Sequence, residues 1–243
     1  MRQYRIRVLM VKDEGTTAVV RTRSRRLVLA VVSMTFFGLP VLLLAFAIRE
    51  NFDPLIALDM KAITAATDFT RRSGLASVLI ILEAISRPVV VYIMATLVVA
   101  WTWLARHLAG RALWAFLTMM VSWAVGAVFK VVVQRARPAL DPFLAHPQGY
   151  SFPSSHAFNI TVAASVMVVL LWPLLSAGGH RVVVGVALVV VLLVGLDRVF
   201  LGVHFPSDVV AGVLLGLALT VSSWIAFIGW TAPSSSPGPS HRV

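Results

Sequence analysis

The sequence contains no cysteine, which excludes disulfides, thiolate metal sites and a cysteine nucleophile. Charge is scarce too. Asp, Glu, Lys and Arg make up 13% of the 243 residues, about half the share of a soluble domain. No internal repeat is present. The chain is instead 59% hydrophobic, and that excess must face something other than a protein core. Residues 27–48, 88–105, 112–129, 157–179 and 209–230 form runs without a single charged side chain. Each approaches or exceeds the ~18–20 residues a helix needs to cross the hydrocarbon layer. A sixth run, 182–196, reaches that length if its helix continues through Asp197 toward Phe200. The expected fold is an all-α, integral membrane bundle of six transmembrane helices, forming one domain over 27–230. A basic segment, 1–26, precedes it, and a Pro/Ser-rich tail, 231–243, has the composition of a disordered segment.

Acidic residues are fewer than basic ones, 10 against 21, for a net charge of +11. Such a balance can signal nucleic-acid binding, but its distribution argues against that partner. Eight basic residues lie in the first 26 positions, immediately before the first apolar run. They suit a cytoplasmic flank that orients the first helix and touches anionic headgroups. The flank is also too long, and the run after it too persistent, for a cleaved signal peptide. With 1–26 inside, six spans place twelve basic and two acidic residues on inner segments, and nine basic and eight acidic residues outside. That asymmetry predicts a multi-pass cell-membrane protein with both termini inside.

The longest outer connection, 49–87, mixes Leu55, Ile56, Leu58, Met60 and Ile63 with charges between Asp53 and Phe69. This pattern predicts an interfacial helix between the first and second spans. The apolar piece 73–82 is too short to span and reads as a second interfacial or re-entrant element. The competing reading is one helix over 75–104, broken at Arg87-Pro88.

Charge at membrane depth is costly, so charges at span ends are candidates for function. Three clusters stand at the outer ends. In the first, Lys130 and Arg137 lie two helical turns apart and share a face if the helix persists. Pro138 then turns the chain into the loop. Two such cations form a receptor for a polyanion, or else snorkel from a helix end. The second cluster, Phe152-Pro153-Ser154-Ser155-His156, opens the fourth span. A serine there is an ordinary cap, but the free N–H groups and the positive dipole end also make an anion site. His156, one residue on, could give a proton to a departing oxygen. In the third cluster, Arg198, His204 and Asp208 cross the junction of the last two spans, with Pro206 suited to a helix start. A carboxylate accepting from one imidazole nitrogen leaves the other basic and nucleophilic. An ion pair between Asp208 and Arg198 is the plainer alternative, and it leaves His204 unexplained.

Lys130-x6-Arg137-Pro138, Pro153-Ser154-Ser155-His156 and Arg198-x5-His204-x3-Asp208, in this order, resemble the three-part signature of the type 2 phosphatidic acid phosphatase superfamily. That superfamily includes lipid phosphate phosphatases, undecaprenyl-diphosphate phosphatases and the vanadium haloperoxidases. The resemblance covers roughly 130–230. It implies that Lys130, Arg137 and Arg198 hold the phosphate oxygens, helped by Ser154 and the N–H of Ser155. His204 would attack phosphorus and form a phosphohistidine, oriented by Asp208. His156 would protonate the leaving group and then activate water. No metal ligand and no cofactor are implied, since fixed cations can supply the positioning and charge neutralisation that phosphoryl transfer needs.

The implied substrate is a lipid phosphate or diphosphate from the bilayer, of the undecaprenyl diphosphate, phosphatidylglycerophosphate or phosphatidic acid type, hydrolysed on the extracytoplasmic side. Two alternatives use the same residues. One is a phosphotransferase with a lipid or sugar hydroxyl as acceptor; the other is a non-catalytic phospholipid-binding protein. Two positions depart from the commonest pattern. Ser155 stands where glycine is usual, and Asp197 precedes Arg198 where a small residue is usual.

Overall fold

The computed structural model describes residues 2–140 and 148–231, with side chains over 23–140 and 148–227. Among the described residues all regular structure is helical: α1 (Arg2–Arg49), α2 (Asp53–Ser73), α3 (Ala76–Ile85), α4 (Pro88–Leu104), α5 (Ala109–Val133), α6 (Ser155–Leu171), α7 (Ala177–Phe200) and α8 (Pro206–Thr231). Five stretches are long and apolar enough to cross a membrane: Arg23–Arg49, Ala109–Val133, Ser155–Leu174, Ala177–Phe200 and Pro206–Phe227. The protein is a multi-pass membrane protein.

The expected second span is a bent pair. Helices α3 and α4 meet at 47° across a short break, at Ser86-Arg87. With 17 residues, α4 rises only about 25 Å, short of the ~30 Å hydrocarbon layer. Six spans are reached by counting the pair as one. Pro88 causes the break, because it disfavours helix at Arg87, whose φ and ψ are −53° and 133°.

Another boundary differs from expectation. The uncharged run 157–179 predicts one span, but a 3-10 turn at Trp172–Leu174 and a cap by Ser176 end α6 and begin α7. The turn is built from Trp172, Pro173, Leu175 and Ser176, so charge spacing could not reveal it. The expected disordered tail, apart from Thr231, lies outside the described residues.

Helix α6 is the axis of the bundle. Phe158, Val162, Val166 and Leu170 are fully buried along it, and α4, α5, α7 and α8 surround it. Helix α8 approaches most closely through two glycines. A Cβ at Gly212 would lie 2.9 Å from the Ser154 carbonyl oxygen, and one at Gly216 would lie 2.8 Å from Thr161 Cβ. Small residues at i and i+4 allow this backbone proximity, from which membrane helices gain dispersion contact. Leu42, Phe46, Ile93 and Leu188 point outward and stay exposed, as a lipid-facing surface requires.

One end of the bundle gathers the chemistry. The C-termini of α1 and α5 meet there through Arg49 Nη1, which donates to the Val132 carbonyl at 3.0 Å. The starts of α6 and α8 are joined by Ser154 N donating to the Asp208 carbonyl at 3.0 Å. Helix α2, the expected interfacial helix, lies across this end. It buries Asp59, Ile63, Thr67 and Thr70, and Thr70 Oγ1 donates to the Phe200 carbonyl at 2.9 Å.

Candidate active site

His204 sits in the short link between α7 and α8. Gly202 turns that link with φ +72°, and any Cβ there would strike Thr67 Cγ2 at 2.7 Å. Glycine is therefore required for both conformation and space. The N–H groups of Val203 and His204 fold back onto the Arg198 carbonyl at 3.1 and 3.2 Å. Pro206 opens α8, so Asp208 falls in its first turn as expected.

The imidazole of His204 has two different neighbours. Its Nδ1 faces Asp208 Oδ2 at 3.6 Å and Ser151 Oγ at 3.3 Å. Its Nε2 lies 3.1 Å from Arg137 Nη1. A carboxylate behind Nδ1 selects the tautomer that puts the lone pair on Nε2, where it accepts from Arg137 Nη1. Burial is the main cause that lowers the His204 pKa, to about 4, and Arg137 and Lys130 add to it while Asp208 opposes them. Burial thus favours the neutral ring, the form in which an imidazole can act as a nucleophile.

Asp208 is fully buried and saturated with donors. Oδ1 accepts from Arg135 Nη1 at 2.7 Å. Oδ2 accepts from Ser151 Oγ at 2.5 Å and from Phe205 N at 3.0 Å. The alternative ion pair between Asp208 and Arg198 is not formed. Arg198 instead pairs with its neighbour Asp197 through Nε and Nη2, so the departure at position 197 supplies the arginine's partner.

Lys130 and Arg137 reach the site differently from the sequence expectation. Helix α5 stops at Val133, and Gln134 takes φ 53°, so the two cations do not share one helical face. A continued helix would drive Pro138 into the carbonyl of residue 134. Both cations still converge on one loop. Lys130 Nζ donates to the Tyr150 carbonyl at 2.6 Å. Arg137 donates through Nε to Gly149 at 2.9 Å, through Nη2 to Gln148 at 3.1 Å, and through Nη1 to Val203 at 2.9 Å. Burial lowers the Arg137 pKa below its ordinary value.

Ser154 caps α6. Its Oγ accepts from Ala157 N at 3.5 Å, which leaves the hydroxyl proton uncommitted by that bond. The next N–H groups, of Ser155 and His156, belong to the helix start and have no intrahelical acceptor. His156 Nε2 is buried without a hydrogen bond. Its near neighbour is Glu83 Oε1 at 3.9 Å, and the same oxygen lies 3.9 Å from Arg198 Nη1.

Five residues of this constellation escaped the sequence reading: Asp59, Glu83, Arg135, Ser151 and Ser207. Only Arg135 carried a signal, as a third cation between Lys130 and Arg137 at a span end. The others are ordinary polar residues until the fold assembles them. Among the described residues, no group of three or more His, Cys, Asp or Glu gathers to hold a metal ion.

The model of the PAP2 superfamily matches residues 111–231. The chain belongs to the PAP2 superfamily. Phosphatidylglycerophosphatase B of Bacillus subtilis is 37% identical over 116 residues, covering 45% of this chain and 56% of that protein. An undecaprenyl-diphosphatase of Sulfolobus acidocaldarius is 32% identical over 133 residues, covering 50% of this chain and 56% of its own length. A decaprenylphosphoryl-5-phosphoribose phosphatase of Mycobacterium tuberculosis is 35% identical over 112 residues, covering 45% and 56%. The matches thus span a little over half the length of these PAP2 relatives. The crystal structure of a transmembrane PAP2 type phosphatidylglycerolphosphate phosphatase from Bacillus subtilis superimposes with a TM-score of 0.71 at 27% identity, covering 79% of this chain and 94% of that one.

Proposed function

We propose that this PAP2 protein is a metal-independent phosphatase of a lipid phosphate or diphosphate, acting at the extracytoplasmic face. The observation that carries the proposal is the opposed pair of contacts at His204, with Asp208 behind Nδ1 and Arg137 at Nε2. Lys130, Arg137 and Arg198 hold the phosphate oxygens, with the hydroxyl of Ser154 and the N–H of Ser155 completing the cradle. His204 Nε2 forms a bond to phosphorus as the bond to the leaving oxygen breaks. His156 gives its proton to that oxygen, either an alkoxide or a phosphate. Water, deprotonated by His156, then displaces the histidine and releases inorganic phosphate. The three cations neutralise charge that spreads over the transferring group.

An apolar cavity of about 420 Å³ between α4, α6 and α7 supports a lipid substrate. Ile85, Met94, Ile160, Met167 and Val186 are among its lining residues. It starts two residues from Glu83 and one helical turn from His156, so a headgroup at the cations can leave its tail in this groove. The relatives' names supply the candidate headgroups: phosphatidylglycerophosphate, undecaprenyl diphosphate and a decaprenylphosphoryl sugar phosphate. The eight basic residues among the first 26 favour an inside N-terminus by the positive-inside rule, and α1 then carries its C-terminal end, where the site lies, to the outer face.

The test is phosphate release from this panel by purified protein in detergent with EDTA present. Turnover in EDTA that is abolished by His204→Ala is expected. Loss of turnover in EDTA, or a near-normal rate in the variant, overturns the proposal.

A further inference from the structure

The charged network behind Asp208 exceeds what a simple nucleophile and orienting carboxylate require. Arg135 is buried in the extended segment after α5, and its guanidinium lies 4.0 Å over the Phe205 ring. Its Nη1 donates to Asp208 Oδ1 at 2.7 Å and to Ser207 Oγ at 2.8 Å. Its Nη2 donates to Asp59 Oδ2 at 2.7 Å. Asp59 in turn accepts from Ser207 N at 3.0 Å and from Ser207 Oγ at 2.5 Å. All four side chains are buried. One guanidinium is thus held between two buried carboxylates, one from the interfacial helix α2 and one from the first turn of α8.

The Arg135 guanidinium spends its donor bonds on Asp208, Ser207 and Asp59, away from the space at His204 Nε2 where the phosphate would sit. The cations near that space are Arg137 and Lys130, and both act electrostatically on Asp208 as well. Arg135 binds Asp208 Oδ1, whereas Oδ2 is the oxygen that faces His204 Nδ1. From these contacts we infer that Arg135 and Asp59 are positioning residues that aim the Asp208 carboxylate at His204 Nδ1, making α2 part of the catalytic apparatus.

The consequence is tautomeric. If Asp208 rotates, or becomes a donor to Nδ1, the ring proton moves to Nε2 and the nucleophilic lone pair disappears. Such a site still binds phosphate, because Lys130, Arg137 and Arg198 are untouched, but it turns over slowly. Removing one member of a buried pair leaves the other charge uncompensated and lowers stability, while the three cations proposed to hold the phosphate keep their places. The loss should therefore appear chiefly in kcat.

The inference rests on the phosphatase reading and is tested on the full chain in detergent with a lipid monophosphate. Arg135→Gln is expected to lower kcat about a hundredfold, as misaligned catalytic groups do, with KM changed less than about threefold. Arg137→Gln should instead raise KM. Arg135→Lys should recover part of kcat, since it keeps the cation and loses the fork. The double variant Asp59→Asn with Arg135→Gln should be no slower than Arg135→Gln alone, because the two act as one unit. If Arg135→Gln does not yield folded protein, the Arg135→Lys and Asp59→Asn variants carry the same kcat-against-KM comparison. A normal kcat in Arg135→Gln, a KM rise matching that of Arg137→Gln, or multiplying losses in the double variant overturns the inference while leaving the phosphatase intact. An inactive parent overturns both.

Discussion

Gly212→Ala adds one methyl group where α8 touches the start of α6, and its cost can be worked from the contacts. The new Cβ would lie 2.9 Å from the Ser154 carbonyl oxygen, 3.0 Å from Phe158 N and 3.2 Å from Ala157 Cβ. Two of these are backbone atoms, which cannot rotate away. Comfortable separations are about 3.5 Å, so the helix starts must part by roughly half an ångström. The Ser154 N to Asp208 carbonyl bond, 3.0 Å long, spans this gap and lengthens with it. Overpacking of this kind costs about 1–3 kcal/mol, and the helix propensity of alanine over glycine returns about 1 kcal/mol. The net loss of stability is therefore modest. The catalytic loss is larger, because α6 carries Ser155 and His156 while α8 carries Asp208. Misplacement of catalytic groups by a fraction of an ångström to one ångström costs on the order of tenfold to a hundredfold in rate. The assay compares kcat and melting temperature in detergent with those of Gly185→Ala, a lipid-facing glycine whose added Cβ meets nothing within 4 Å. Gly212→Ala should be a few degrees less stable and at least tenfold slower. If the two variants behave alike, the proposed dependence of the site on this helix contact is wrong.

Two further outcomes follow from the site. The folded His204 pKa is lowered to about 4 from an unfolded value of about 6.5, so this residue binds fewer protons when folded. Its contribution to stability is complete above pH 6.5 and is lost as pH falls toward 4. Thermal melts at pH 7, 6 and 5 should show a steeper acid-side decline for the parent than for His204→Asn, and parallel curves contradict this. Glu83 places a carboxylate 3.9 Å from both His156 and Arg198, where it repels an incoming anion by about 2 kcal/mol at ~8 Å and an effective dielectric constant of ~20. Steady-state kinetics of Glu83→Gln should show KM lowered by roughly thirtyfold, and a raised KM would mean that Glu83 instead holds these two groups in place.

The motif residues were legible because charge is rare in this chain. Lys130, Arg137, His156, Arg198, His204 and Asp208 interrupt apolar runs at their ends, and the fold brings those ends to one face. Periodicity and run length also carried most of the helices. What they missed was long-range or uncharged. Asp59 sits 76 positions before Arg135, on a helix whose sequence shows an amphipathic pattern and nothing more. The turn at Trp172–Ser176 contains no charge, so two spans were divided in the wrong place. Helix α5 ends at Val133 because Pro138 acts one turn upstream, which changes how Arg137 arrives without changing where it arrives. Ser151 and Ser207 became informative only when tertiary structure set their hydroxyl groups against buried carboxylates.

The chemistry proposed for the site turns on what happens at His204 Nε2. The direct measurement is rapid quench of the protein with a lipid phosphate carrying a radiolabelled terminal phosphate, followed by peptide mapping. An acid-labile, alkali-stable label on the peptide containing His204 is expected. Replacing His156, which the proposal makes both leaving-group acid and water activator, should slow the appearance and the loss of this label alike. Label on another residue, or full turnover by His204→Ala, would contradict the assignment of His204 as the nucleophile.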